Sequence, residues 1–360
     1  MNETSKDEMT QAILDTASAA TGTQRERLGL ILADLHRRFG IGGERYWNDH
    51  RRRLEFAEAL GALGDLDLAM SLFNQVEMCL PLLWATRSEL AEEAARGERI
   101  LAHAVTESTG GSDLAGLETE AAVSHGSLVL SGGKRWVLNG AHADTAVVLA
   151  VAEGRRPPFH LVLLAVDTDA PGVVVADEDP LAGYATAGTA SIGFDGTPVA
   201  ADRVLGGLGQ ALPVHARQFA GERILLGALM MSAASWMLDA TAEHAGRRNV
   251  FGLELGKHQS VAFRLARLRT EIEGVRCLAS DAVDRWADSG DPRELSSAVK
   301  LMAGRVVRST ARECLLLFGA AAQIETHPMN RMFYEALWLS VEAGSEELLA
   351  ETIAKERKWI

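Results

Sequence analysis

Apolar positions along the chain fall into three textures. From about Gln11 to Gly97 they recur at three- and four-residue spacings, as in Leu28-Gly-Leu-Ile-Leu-Ala-Asp-Leu and Leu54-Glu-Phe-Ala-Glu-Ala-Leu. That is the period of amphipathic helices, and four or five are expected. Asp65 and Asp67 offer short side-chain acceptors for a helix start before Leu68-Ala-Met-Ser-Leu-Phe, and Pro81 predicts a break or kink. From Ile100 to about Leu205 the runs become short, strand-like and ended by turn residues: Ser127-Leu-Val-Leu, Ala146-Val-Val-Leu-Ala-Val and Phe159-His-Leu-Val-Leu-Leu-Ala-Val. His125-Gly126, Gly132-Gly133, Pro157-Pro158 and Asp195-Gly196 are the expected turns. Strands that succeed one another without helices favour an antiparallel sandwich or barrel. From Ala211 helical spacing returns over roughly 218–246, 256–288, 293–318 and 331–356. Gly252, Gly256, the 288–292 segment and Thr326-His-Pro328 supply the breaks of an up-and-down bundle. The expected fold is mainly α with a central β-domain: an N-terminal helical domain (1–99), a middle antiparallel β-sandwich or barrel (100–208) and a C-terminal four-helix bundle (209–360).

Composition narrows the function. With 36 basic against 49 acidic residues the net charge is −13, which disfavours attraction to nucleic acid or to an anionic membrane surface. The Arg51-Arg52-Arg53 run is expected to be a solvated helix face. Cys79, Cys277 and Cys314 lie far apart without zinc-type spacing, as suits a reducing cytoplasm. The first residues are too charged for a signal peptide, and no apolar stretch reaches the roughly 18 residues of a membrane span. The longest uncharged run, Ile224 to Leu238, is read as a core helix. The chain has no GxGxxG after a strand, no GxxxxGK[ST] and no HExxH, so nicotinamide folds, P-loop enzymes and zinc hydrolases drop in rank.

Four stretches carry candidate chemistry. Val105-Thr-Glu-Ser-Thr-Gly-Gly-Ser-Asp113 sets hydroxyls beside adjacent glycines, where exposed amides suit a phosphate or a polar ring edge. Lys134-Arg-Trp136-Val-Leu138-Asn-Gly140 places a flat aromatic in a strand before a turn. Gly221-Glu222-Arg223 sets a carboxylate directly against the apolar run Ile-Leu-Leu-Gly-Ala-Leu-Met-Met, in what looks like one long helix from Phe219 to Gln259. Arg248-Asn-Val-Phe251-Gly252 and Gln259 close that stretch. Each alone has an ordinary reading as turn, core residue or helix cap.

In this order the stretches resemble the acyl-CoA dehydrogenase family, whose flavin loops read Thr-Glu-Pro-x-x-Gly-Ser-Asp and Trp-Ile-Thr-Asn-Gly. Asp195 to Gly206 looks like the family's exit from its β-domain, and Arg248 to Gln259 like its second flavin signature. Phe318-Gly319 through Leu348 lies on its last helices without a gap, and the resemblance runs from about residue 55 to the end. It implies FAD in a dimer or tetramer, with Val105, Thr106, Gly111 and Ser112 lining the flavin and its phosphates, Trp136 packed on the isoalloxazine, and Leu138 and Ser345 nearby. Arg248, Phe251 and Gln259 would reach the FAD of a neighbouring subunit. Partners implied are an acyl-CoA or acyl-carrier-protein thioester and electron-transfer flavoprotein or another acceptor.

The family removes a proton from Cα of an acyl thioester while Cβ gives up a hydride, so a buried base of raised pKa is required. The ungapped register puts Ala343 where many members carry that glutamate, while Glu222-Arg223 matches the isovaleryl and long-chain types. Glu222 is the expected base and Glu342 its rival. The Ala343 backbone amide would receive the thioester carbonyl, a role that needs no side chain. Several positions depart from the family's pattern: Leu138 stands for a threonine, Ala320 and Ala322 for glycines, Leu316 for a glutamine, Tyr334-Glu335 for Arg-Asp and Ser108 for a proline. A flavin monooxygenase of the same fold and a non-catalytic subunit of a mixed oligomer remain the alternatives.

Overall fold

A computed structural model describes residues 3–124, 127–157, 159–178, 181–289 and 292–360. The turns expected at His125-Gly126 and Pro158, and the Gly290-Asp291 part of the 288–292 break, lie outside those residues. By packing, the described chain forms two compact units. A bundle unit comprises residues up to Thr10, His50–Ala69 and Ala220–Ile360, and a sheet unit comprises Gln11–Asp49 and Met70–Phe219.

Among the described residues the N-terminal region holds seven α-helices where the spacing predicts four or five: α1 (Glu3–Ala19), α2 (Gln24–Phe39), α3 (Glu44–Trp47), α4 (His50–Gly61), α5 (Leu66–Phe73), α6 (Leu80–Ala85) and α7 (Leu90–Ala95). Asp65 caps α5 by accepting from the Leu68 amide at 3.1 Å. Pro81 sits in the first turn of α6, and the break it forces is a π-helical turn over Asn74–Cys79, where the Leu80 amide reaches back to the Gln75 carbonyl. The wider turn accommodates a residue that has no N–H to continue the ladder.

The sheet unit carries β1 (Leu101–Ala104), β2 (Glu120–Ser124), β3 (Ser127–Val137), β4 (Thr145–Ala152), β5 (Leu161–Asp167), β6 (Val173–Asp177), β7 (Ala190–Val199) and β8 (Val204–Leu205). They form one sheet in the order β6-β7-β3-β2-β4-β5-β8, with β1 also on β4. The sheet is mixed, a correction to the antiparallel expectation: β1 and β2 each run parallel to β4. No tight hairpin joins either strand to β4, so nothing local forces the antiparallel sense. Gly132-Gly133 and Asp195-Gly196 do not end strands but lie inside β3 and β7, where the register shifts between Leu130 and Gly132. Gly132 at φ +130° and Gly196 at φ +61° absorb that bulge as few other residues would. Both faces of β4 are buried, with Ala146, Val148 and Ala150 in one apolar cluster and Val147 and Leu149 in another. Burial on two faces explains its continuous apolar run.

The bundle unit contains α8 (Ala211–Arg247, from Ala220 onward), the hairpin β9 (Asn249–Val250) and β10 (Leu253–Glu254), then α9 (Gln259–Ser289), α10 (Arg293–Phe318), α11 (Pro328–Val341) and α12 (Glu346–Glu356). Two helix expectations change. The Phe219–Gln259 stretch is a helix only to Arg247, and the last helix is split at 342–345 because Ala343 (φ +54°) and Gly344 (φ +113°) leave the helical region. Every residue from Ala220 to Ala234 is buried. Gly61 and Gly227 make that possible: a Cβ on Gly61 would meet the Leu229 carbonyl oxygen at 2.2 Å, and one on Gly227 would meet Val299 at 2.6 Å.

Contrary to expectation, Leu66–Ala85 and Ala211–Arg247 are long and apolar enough to cross a membrane; 78% of each apolar window is buried within the protein, as in core helices. Arg53 also departs from the solvated face predicted for it, being 1% exposed with its guanidinium 5.0 Å from the Trp286 ring centre.

Candidate active site

A polar pair in the buried α8 stretch stands beside a loop from the far end of the sequence, which Arg223 touches directly. Glu222 is 3% exposed and Arg223 is 7% exposed. Trp286 packs on Gly221, where a Cβ would come within 2.2 Å of the ring, so the backbone carrying Glu222 is pressed against an aromatic wall that also stacks on His50 at 3.9 Å. Arg223 Nε donates to the Ala343 carbonyl at 2.8 Å, and its Nη1 reaches Ser297 Oγ at 3.3 Å. The Ala343 N–H has no acceptor among the described residues.

Lys300, on α10, completes this cluster. It is 1% exposed and donates from Nζ to the Ser340 carbonyl at 2.7 Å and the Gly344 carbonyl at 3.4 Å. Burial pushes its ammonium down to about 8, against the upward pull of Glu342. Glu342, in the α11–α12 loop, is pushed up to about 7 by desolvation of its carboxyl, with Lys300 opposing. Ser345 caps α12 by accepting from the Leu348 amide at 3.4 Å. Glu342 and Ala343 thus share one loop in the bundle unit, tied to Arg223, the neighbour of Glu222, while Glu222 and Glu342 both act on the Lys300 charge.

In the sheet unit, the loop after β1 lies beside the Trp136 segment, since the Arg135 amide donates to the Thr106 carbonyl at 2.9 Å. Val105 accepts from Lys134 Nζ at 3.0 Å. Glu107 is buried and binds Lys134 Nζ at 2.6 Å as well as the Glu118 and Thr119 amides. Burial pushes its carboxyl up, but these donors outweigh that and hold it below the usual range. Gly111 sits tight on Thr106, where a Cβ would come 2.8 Å from Oγ1, while Ser112 is exposed. Trp136 holds φ +53° with its ring 40% exposed, and Leu138 follows in the turn. Glu178 fixes that unusual backbone. It accepts from the Trp136 amide at 3.0 Å, from Ser191 Oγ at 2.6 Å and from Arg135.

Back in the bundle unit, Arg248 lines a cavity of about 550 Å³ with Arg247, His244, His327, Phe318 and Trp236 among its walls. Phe251, at the tip of the β9–β10 hairpin, is 98% exposed, and Gln259 is an exposed first residue of α9. Among the departures, Leu316 is 54% exposed, Ala320 is exposed and Ala322 is buried. Glu335 is buried, and its carboxyl is pushed up to about 8 by burial, with Asp67 adding and Arg331 opposing.

Sequence reasoning missed Lys300, Ser297, Glu178, the Glu107–Lys134 pair and Trp286. Lys300 had a signal: with Ser296, Ala303, Val307, Ala311 and Cys314 it occupies the buried stripe of α10, a charge at a core-period position. Glu178 had none, because its partners lie on other strands.

Two family models match the chain. The acyl-CoA dehydrogenase C-terminal domain matches residues 209–357, and the acyl-CoA dehydrogenase middle domain matches residues 102–197. The mitochondrial long-chain specific acyl-CoA dehydrogenase of Sus scrofa is 26% identical over 343 residues, covering 91% of this chain and 76% of that protein. The short-chain specific acyl-CoA dehydrogenase of Megasphaera elsdenii is 26% identical over 330 residues, 89% of this chain and 85% of that protein. The solved structure of butyryl-CoA dehydrogenase from Megasphaera elsdenii shares the fold, with a TM-score of 0.86 at 21% identity over 98% of both chains. With two domain models of one family together matching more than half of its residues, this chain belongs to the acyl-CoA dehydrogenase family.

Proposed function

We propose that this protein catalyses the FAD-dependent α,β-dehydrogenation of an acyl thioester, bound to CoA or to an acyl carrier protein, to the 2,3-enoyl product. The observation that carries the reading is Glu222: a buried carboxylate inside α8, near the head of its fully buried stretch, beside an arginine that grips the loop whose Ala343 amide is free to bind a carbonyl. Glu222 takes the proton from Cα, and the Ala343 N–H receives the thioester carbonyl as charge builds on its oxygen. FAD, when bound, supplies the hydride acceptor for Cβ.

The residues present suit FAD. Trp136 offers a flat ring held with its face partly exposed, and Gly111 keeps its close approach to Thr106 clear of a side chain. Arg248 borders a cavity with a second guanidinium and aromatic walls, a setting for a diphosphate. Val105, Thr106, Gly111, Ser112, Trp136, Leu138 and Ser345 are assigned to the cofactor, with Arg248, Phe251 and Gln259 reaching that of a second copy. The exposure of Phe251 and Leu253 supports a homo-oligomer. The reading includes a cytoplasmic setting and an electron-transfer flavoprotein as acceptor.

A second assignment, with Glu342 as base, is favoured by its carboxyl standing near 7, where a base serves best at neutral pH. Anaerobic bleaching of the flavin by acyl-thioesters separates the two. The Glu222→Gln variant is expected to bind thioester and lose about 10²- to 10⁴-fold in bleaching rate. Normal bleaching in that variant, with loss in Glu342→Gln, transfers the role to Glu342.

A further inference from the structure

We infer that Lys300 is a positioning residue for the proposed reaction: from inside the bundle its side chain ties the last turn of α11 to the loop that follows it and so aims the Ala343 amide at the thioester carbonyl. The inference rests on the dehydrogenation proposed above and extends it to a residue that touches neither substrate nor flavin.

The loop needs such a tie. Ala343 at φ +54° is a non-glycine residue in the left-handed region, a conformation that costs energy and persists only where its surroundings impose it. Three carbonyls at the end of α11 and in the loop turn towards cations: Ser340 and Gly344 to Lys300, and Ala343 to Arg223. Charge-assisted bonds of this kind are roughly twice as strong as neutral ones. With those oxygens drawn inward, the Ala343 N–H is left without an acceptor among the described residues.

The charged groups bearing on Lys300 come from every side. Glu342 on the loop and Glu222 on α8 favour its cation, while Arg223 on α8 and Arg308 on its own helix disfavour it. Burial outweighs them and brings its loss of a proton to about 8. As pH rises through that value, the ammonium becomes an amine, the bonds to Ser340 and Gly344 weaken, and the loop loses its hold. Stability responds in the opposite sense. Because the folded-state pKa lies below the ordinary lysine value, burying the cation costs stability at neutral pH, and that cost is relieved as pH rises above about 8. A buried lysine that disfavours folding and still organises a reactive loop differs from a packing residue in both readouts.

The test uses full-length flavin-loaded protein with Lys300→Met and Lys300→Arg. Three quantities are measured: deuterium exchange of the 340–345 peptide without substrate, thioester bleaching rate from pH 6 to 10, and Tm at pH 7. The wild type is expected to lose bleaching rate above pH 8. Lys300→Met is expected to exchange faster in 340–345, to bleach about 10- to 100-fold more slowly with a flattened alkaline limb, and to keep or raise its Tm. Lys300→Arg, charged to above about pH 12, is expected to restore loop protection and carry the limb beyond the range measured. A folded Lys300→Met with unchanged loop exchange and an unchanged limb overturns the inference. Should Lys300→Met fail to fold, Lys300→Arg decides: a limb still near pH 8 overturns it and a displaced limb supports it. If no thioester bleaches the wild type, the proposed function fails, while the exchange comparison still decides the role of Lys300 in the loop.

Discussion

Carboxylates are handled in opposite ways in the two units. Glu178, in the sheet unit, is surrounded by donors: the hydrogen bonds from Arg135 hold its carboxyl at about 2 against the push of burial, and Ser191 and the Trp136 amide add to them. Glu342, in the bundle unit, is desolvated with Lys300 as its counter-charge and stands near 7. The same side chain thus spans about five pH units between two sites of one molecule. The difference lies in donor supply. Glu178, which holds a backbone in shape, is saturated with donors, whereas Glu342 is largely desolvated and meets a single cation, so its proton stays available near neutrality.

This contrast can be broken by substitution, beginning with the largest expected effect. Glu178→Gln should cost about 2–3 kcal/mol at pH 7, because a neutral amide replaces a carboxylate that favours its ionised form in the folded state. That stabilisation is complete above the ordinary glutamate range and fades as pH falls towards 2. The denaturant midpoints of wild type and variant should therefore converge on acidification from pH 6 to pH 3. A gap independent of pH would mean that Glu178 acts by shape alone.

Glu342→Gln should move the other way. The folded-state pKa is raised, so ionising this group costs stability as pH rises from about 4.5 to about 7. The variant should be more stable than wild type by about 1–2 kcal/mol at pH 8, allowing for partial exposure, and equal to it near pH 4. Urea unfolding at the two pH values checks this, and destabilisation at pH 8 would end the distinction between the two carboxylates.

The smallest effect on stability is expected from Phe251→Ala, because the ring is 98% exposed and contributes little to the fold. A change within about 0.5 kcal/mol should accompany a several-fold loss of flavin, read as the absorbance ratio after gel filtration. An equal loss of stability and flavin would place Phe251 in the fold instead of at the cofactor.

Much of the architecture was legible in the sequence because it depends on periodicity. The long helices of the bundle unit and the strand runs of β3, β4 and β5 follow from where apolar residues repeat. Glycine misled where it could act in two ways: Gly132-Gly133 and Asp195-Gly196 read as turns, yet the strands continue through them as bulges. Ala343 misled in the opposite direction, since alanine signals helix while the structure bends there with positive φ. Local propensity lost to the tertiary ties from Arg223 and Lys300. Glu222, Ala343 and Glu342 were nameable in advance through the family register, but the lysine that joins them in space was not.

The sequence by itself determined where helical and strand texture alternate, that a carboxylate stands beside the most apolar run, and that flavin-type loops precede it in order. Those facts reside in residue type and spacing along one dimension. Only the tertiary structure decided the mixed sense of the sheet, the split between α11 and α12, and the charge state of each carboxylate. Strand direction, loop closure and pKa depend on which donors and apolar walls meet a residue from distant parts of the chain. Glu178 and Glu342 are identical as letters; donors from Arg135, Ser191 and the Trp136 amide hold the first down, while desolvation pushes the second up with Lys300 only partly offsetting it.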